Sequence, residues 1–163
     1  MICIFNTTFK HIETDACHDK TLTLHDYYAE KVRYSNTTLR FYLSDGFWIT
    51  NLHNDNNLNK TVKIDAAIVD FHIDNIEDIL LYVFTRNIFK KTSAEIREMH
   101  DLIDDINNEK CSIEFIYQYN TYFEQMWRCA IHSKKPYYRE CHFHLPSTEA
   151  TFYWNNIQPD QEW

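Results

Sequence analysis

Apolar and polar side chains alternate most clearly between residues 61 and 73 (TVKIDAAIVDFHI). Val62, Ile64 and Ala66 fall on one face, and Asp65, Ala67, Val69, Phe71 and Ile73 fall on the other. An extended backbone puts successive side chains on opposite sides, so the pattern predicts one long strand. The parity changes at Ala66-Ala67, which predicts a shift or bulge there. Residues 38–43 (TLRFYL) and 47–52 (FWITNL) flank Ser44-Asp45-Gly46, and Asp-Gly between two apolar runs is a hairpin signal. Extended character also marks residues 21–28, 29–34 and 79–89, and then 112–119, 122–132, 137–145 and 149–157. Residues 51–59 (NLHNDNNLN) show no apolar period and read as a polar loop.

A helical period governs residues 93–108. Ile96, Met99, Leu102, Ile103 and Ile106 share one helical face, while Arg97, Glu98, Asp101, Asp104, Asp105 and Asn108 share the other. Thr92 and Glu95 stand at capping-box spacing just before it. Short connections favour antiparallel neighbours, and the whole pattern predicts an α+β fold in a single domain, residues 1–163. A mostly antiparallel sheet or partial barrel carries one main amphipathic helix packed on it.

Composition narrows the function. A chain of 163 residues with 44% hydrophobic side chains, 11 Phe and 11 Tyr can fill a core without a structural metal. One Gly in the whole chain excludes any Gly-rich phosphate cradle, and there is no G-x-S-x-G and no H-E-x-x-H. Five cysteines, an odd number with no C-x-x-C, point to reduced thiols. The opening MICIFN is too short in apolar residues for a signal peptide, and no run approaches the roughly 18 of a membrane span. The expected location is cytoplasmic, with no membrane partner. Abundant Ile, Asn, Lys, Phe and Tyr beside scarce Gly is the usage of an AT-rich, bacterial genome.

The formal charge is −8, and it is unevenly spread. Residues 65–109 hold eleven acidic and four basic side chains, whereas residues 1–64 hold seven of each. Such a field repels nucleic-acid phosphates and attracts a basic protein. Glu98, Asp101, Asp104 and Asp105 on the predicted helix are therefore the candidate partner-binding residues.

Residues 129–144 (CAIHSKKPYYRECHFH) hold two C-x-x-H pairs that look like a zinc site. In a strand, however, residues three apart face opposite ways, so Cys129 and His132 diverge, as do Cys141 and His144. A four-residue turn at Ser133–Pro136 would set Cys129 opposite Glu140 and leave Cys129, Glu140, His142 and His144 on one face. Those four are the alternative site, with zinc as the cofactor of a metal-dependent enzyme; otherwise neither cofactor nor catalysis is expected. Cys17 beside His18, near His25 and Asp26, is a weaker nucleophile candidate. His11, His53, His72 and His100 have no partner assignable from the sequence.

In size, acidity, low Gly content and α+β pattern the chain resembles the small acidic immunity proteins of bacterial contact-dependent and polymorphic toxin systems. That resemblance implies a non-catalytic protein that binds and neutralises a basic toxin. No motif carries it, so it transfers no residue.

Overall fold

The computed structural model describes residues 8–15, 21–86, 91–121, 123–134 and 138–163. Its strands are, in chain order, β1 (His11–Asp15), β2 (Leu22–Thr23), β3 (Tyr27–Ala29), β4 (Lys31–Ser35) and β5 (Thr38–Leu43). Then come β6 (Trp48–Ile49), β7 (Val62–Ile64), β8 (Ala67–His72), β9 (Leu80–Arg86) and β10 (Thr92–Arg97). After the helix α1 (Met99–Asn107) follow β11 (Cys111–Asn120), β12 (Gln125–Ser133), β13 (Tyr138–Leu145), β14 (Ala150–Trp154) and β15 (Ile157–Glu162). A 3₁₀ turn, Ile76–Asp78, lies between β8 and β9.

The strands form three open sheets, with every pairing antiparallel. One has the order β1-β14-β8-β5-β4, the second β10-β9-β13-β12-β11-β3, and the third β15-β7-β6-β2. Over the described residues the fold is thus mostly antiparallel sheet with one short helix.

Alternation explains the core. Phe41 and Phe71 of the five-stranded sheet meet Phe115 and Trp127 of the six-stranded sheet, and the rings stand edge to face at 5.2–6.3 Å. Both sheets send alternate residues into this layer, including Leu39, Val69, Val83, Cys129, Ile131 and Phe143, all essentially inaccessible. Met99, Leu102, Ile103 and Ile106 of α1 join the same cluster. These are four of the five residues placed on the apolar stripe from periodicity.

The helix is shorter than residues 93–108 predicts. Residues 92–97 form β10 instead, paired in unbroken register with β9 from Thr92↔Arg86 to Arg97↔Leu81. The capping-box spacing of Thr92 and Glu95 is incidental. Six ladder positions and β-branched Thr92 and Ile96 outweigh one local cap. Ile96 leaves the core with the strand and is 67% exposed. Helix α1 begins after Glu98, whose side chain makes no capping bond.

The predicted hairpin across Ser44-Asp45-Gly46 does not form either. β5 pairs with β4 and β8, while β6 pairs with β2 and β7 in another sheet. Gly46 is still a turn residue, at φ +78°. Its role is to let the chain change sheets at a crowded seam. β7 passes into β8 at Asp65-Ala66, beside the parity change expected at Ala66-Ala67, and β14 passes into β15 at Asn155-Asn156. Asp65 ties these crossings together by accepting from the Asn155 and Asn156 backbone N–H groups at 3.3 Å and from Asn156 Nδ2 at 2.7 Å.

The true tight hairpin joins β4 and β5 through Asn36-Thr37, both at positive φ (50° and 60°), as a type I′ turn requires. Edge strand β4 is closed by α1. Asn107 accepts from the Val32 N–H (3.1 Å) and donates to the Val32 carbonyl (2.7 Å), standing in for a neighbouring strand.

Candidate binding surface

The acidic quarter of the sequence resolves into two groups. Three of its eleven carboxylates are engaged internally. Asp65 binds Asn155 and Asn156, and Asp70 holds Arg40 on the neighbouring strand through a two-pronged pair at 2.6 and 2.7 Å. Asp105 accepts from Arg97 and, at 3.0 Å, from Lys110. Hydrogen bonds from Arg97 and then Lys110 outweigh the effect of burial and hold the Asp105 carboxyl below its ordinary value of 3.8.

The other eight are exposed, and seven of them flank the 3₁₀ turn and α1: Asp74, Glu77, Asp78, Glu98, Asp101, Asp104 and Glu109. The two elements touch, with His100 of α1 at 3.8 Å from Glu77. Glu98 and Asp101 sit at the N-terminal end of α1, where the helix dipole favours negative charge. Of the four carboxylates proposed from the sequence, Glu98, Asp101 and Asp104 thus lie on one acidic end, and Asp105 is neutralised behind them. Asp74, Glu77 and Asp78 were not singled out from the sequence, although the charge count over residues 65–109 includes them.

The outer face of the six-stranded sheet is the second surface. The register between β12 and β13 pairs His132 with Tyr138 and Cys129 with Cys141. Five residues, not four, separate the paired His132 and Tyr138, and that one extra residue reverses the predicted grouping. Cys129 now faces the core opposite Cys141, where burial and then the Cys141 thiol push its own thiol well up. His142, His144 and Glu140 face outward, away from Cys129. Their neighbours are Tyr82 and Phe84 of β9, because β13 pairs with β9.

Glu140 is the hub of this face. It accepts from Arg128 (3.0 Å) and meets His142 Nε2 (3.1 Å). Burial pushes its carboxyl up, but the hydrogen bonds from Arg128 and His142 prevail and hold it below the usual range. His144 stands 3.7 Å from Glu124, and His132 Nε2 is 2.6 Å from Glu114. Tyr28, Tyr117, Tyr119 and Tyr138 are exposed around this network. Among the described residues, no three His, Cys, Asp or Glu side chains converge as a metal-binding set.

The histidines without assignable partners each lie by a carboxylate: His11 by Asp55, His53 by Glu13, His72 by Asp74 and His100 by Glu77. His53 is buried, and its tautomer follows from its bonds. Nδ1 accepts from the Asp55 N–H at 3.0 Å, so Nε2 carries the proton donated to Glu13 at 2.7 Å. The pairings of His11, His53 and His100 join residues far apart in the chain, so no sequence spacing signals them, whereas His72 and Asp74 stand two positions apart. Cys17 and His18 lie outside the described residues; His25 contacts Asp26 at 2.8 Å and packs on Tyr117 and Trp163. An open cavity of about 430 Å³ lies nearby, between Tyr27, Trp48 and Trp163, with Lys63 reaching Asp45 at 2.5 Å inside it.

Comparison with known protein families, characterised proteins and solved structures finds no match to this chain. Among the described residues, no helix is long and apolar enough to cross a membrane.

Proposed function

We propose that this protein is a non-catalytic binding module that captures a basic protein through its acidic end, as bacterial immunity proteins capture their toxins. The observation that carries the reading is the gathering of seven exposed carboxylates around the 3₁₀ turn and α1, with only the imidazoles of His72 and His100 within 4 Å of Asp74 and Glu77 among the described ion pairs. A one-signed surface of this kind steers an oppositely charged partner and raises its association rate by about 10- to 1,000-fold at low salt. The exposed tyrosines on the outer sheet face suit the contacts that hold a complex once formed, since Tyr is favoured at interface hot spots.

The test uses a basic protein as the binding probe, sought first among the products of neighbouring genes. Reversing Glu98, Asp101 and Asp104 to Lys should slow association at least about tenfold at low salt and flatten its salt dependence. Asp105 is left in place because it holds Arg97 and Lys110. An association rate that the triple reversal leaves unchanged, at every ionic strength, rules out the acidic end as the docking surface.

A further inference from the structure

We infer that β10 is a self-pairing edge, through which two copies of this chain join their six-stranded sheets antiparallel about Ile96. Among the described residues, β10 is the outermost strand of its sheet and has β9 as its one neighbour. Five of its six residues are exposed, so it stands clear of the facing layer on both sides. An edge of this kind offers a row of unpaired N–H and C=O groups to any strand that fits.

The other long edges are covered. β4 is closed by Asn107. β1 is flanked by the loop carrying His53 and Asp55, which hold Glu13 and His11. β15 contains Pro159 and a register shift between Gln158 and Glu162. β10 has none of these devices. It contains no proline, and its ladder with β9 is continuous.

The sequence of the edge selects its occupant. In antiparallel pairing centred on Ile96, each Ile96 meets Ile96 of the second copy. Glu95 of each strand meets Arg97 of the other, twice over by symmetry. The Lys91 end of one strand then runs toward the Glu98–Asp101 end of its mate. Glu95 and Arg97 point to the inner side of the sheet, opposite Val83 and Leu81, where a charge deters a foreign apolar strand. Only a strand bearing the complementary charge at each position lifts that barrier, and a second β10 is such a strand. Arg97 already donates to Asp105, and its five N–H groups leave donors for a second carboxylate. The outer faces become continuous across the pair, with Ile96 and Tyr82 of both copies side by side. This inference needs no other protein and stands apart from capture of a basic partner.

Centred on Ile96, the pairing spans only Ala94 to Glu98 of each copy before α1 begins at Met99. So short a strand pair falls well below the roughly 1,200 Å² of a stable interface, and the dimer is weak, with a Kd of about 10–300 µM. Sedimentation velocity of the full chain from about 5 to about 500 µM should show the weight-average mass rising from 19.8 kDa toward twice that value. Ile96→Lys sets two ammonium groups opposite each other, and Glu95→Arg sets like charges opposite Arg97. Each should weaken association at least tenfold. Both positions are exposed, so circular dichroism should show both variants folded. A single 19.8 kDa species at every concentration overturns the inference, as does unchanged association in folded Ile96→Lys and Glu95→Arg proteins.

Discussion

Replacing Gly46 with alanine tests the seam where the chain passes between sheets. At φ +78° an alanine is left-handed, which costs about 1–2 kcal/mol. The added Cβ would also stand 2.3 Å from the carbonyl oxygens of both Ile64 and Asp65, and 2.9 Å from the Ile64 carbonyl carbon. These are backbone atoms held on both sides. The Ile64 N–H donates to the Phe47 carbonyl and the Asp65 N–H to the Asn156 carbonyl, each at 3.0 Å. Moving them the ångström or so that the methyl needs sacrifices at least one of those bonds. A buried backbone group left unpaired costs about 1–3 kcal/mol. Together the effects amount to about 2–5 kcal/mol, a large part of the roughly 5–15 kcal/mol that stabilises an ordinary domain. In a chain of this size that lowers Tm by about 4–20 °C. Urea unfolding followed by tryptophan fluorescence measures it directly, since Trp127 and Trp154 are buried. Asp45→Ala is the control, because it removes only the surface pair with Lys63 and should cost less than about 1 kcal/mol. A Gly46→Ala protein within about 1 kcal/mol of wild type refutes the close approach at the seam.

Two further perturbations probe other parts of the fold. Thr37→Gly turns Asn36-Thr37 into Asn-Gly and relieves a β-branched residue at φ 60°; it should stabilise by about 0.5–1 kcal/mol, and a loss in the same urea assay would contradict a type I′ turn there. Asp105→Asn removes the charge holding Arg97 and Lys110 and should cost about 1 kcal/mol at pH 7. Because the native Asp105 carboxyl is lowered from 3.8, its stabilisation is complete above that pH and lost as pH falls through the lower native value. The difference between variant and wild type should therefore shrink below about pH 4, and a pH-independent difference would sink the ion-pair account.

Much of the sheet could be read from alternation. Residues 38–43 form β5 as predicted, whereas residues 61–73, expected as one long strand, divide beside the parity change into β7 and β8 of two different sheets. The stripe of Met99, Leu102, Ile103 and Ile106 was legible because a nine-residue helix must bury one face, whatever lies against it. Residues 92–97 were misassigned because Ile96 also fits the helical period, and local spacing contains no information about β9. His11–Asp15 showed no recognised pattern, since β1 exists through its partner β14. On the acidic end, Asp101 and Asp104 were visible as a helical face. Its union with Asp74, Glu77 and Asp78 depends on α1 folding back onto the 3₁₀ turn.

The zinc-like stretch draws the line most sharply. By itself the sequence determined that Cys129 and His132 face opposite ways, because the period of a strand is two. It also determined that His142 and His144 share a face, and that the chain's one glycine serves a turn. Whether Cys129 joins those histidines or turns its back on them was decided by a single residue in the connection from β12 to β13. Tertiary structure alone also decided that Gly46 opens a passage between sheets, where a hairpin was expected, and that His11, His53 and His100 meet Asp55, Glu13 and Glu77. The physical reason is common to all three. Periodicity sets which side chains within a strand look the same way, whereas which strand lies alongside, and in what register, is set by packing between residues far apart in the chain.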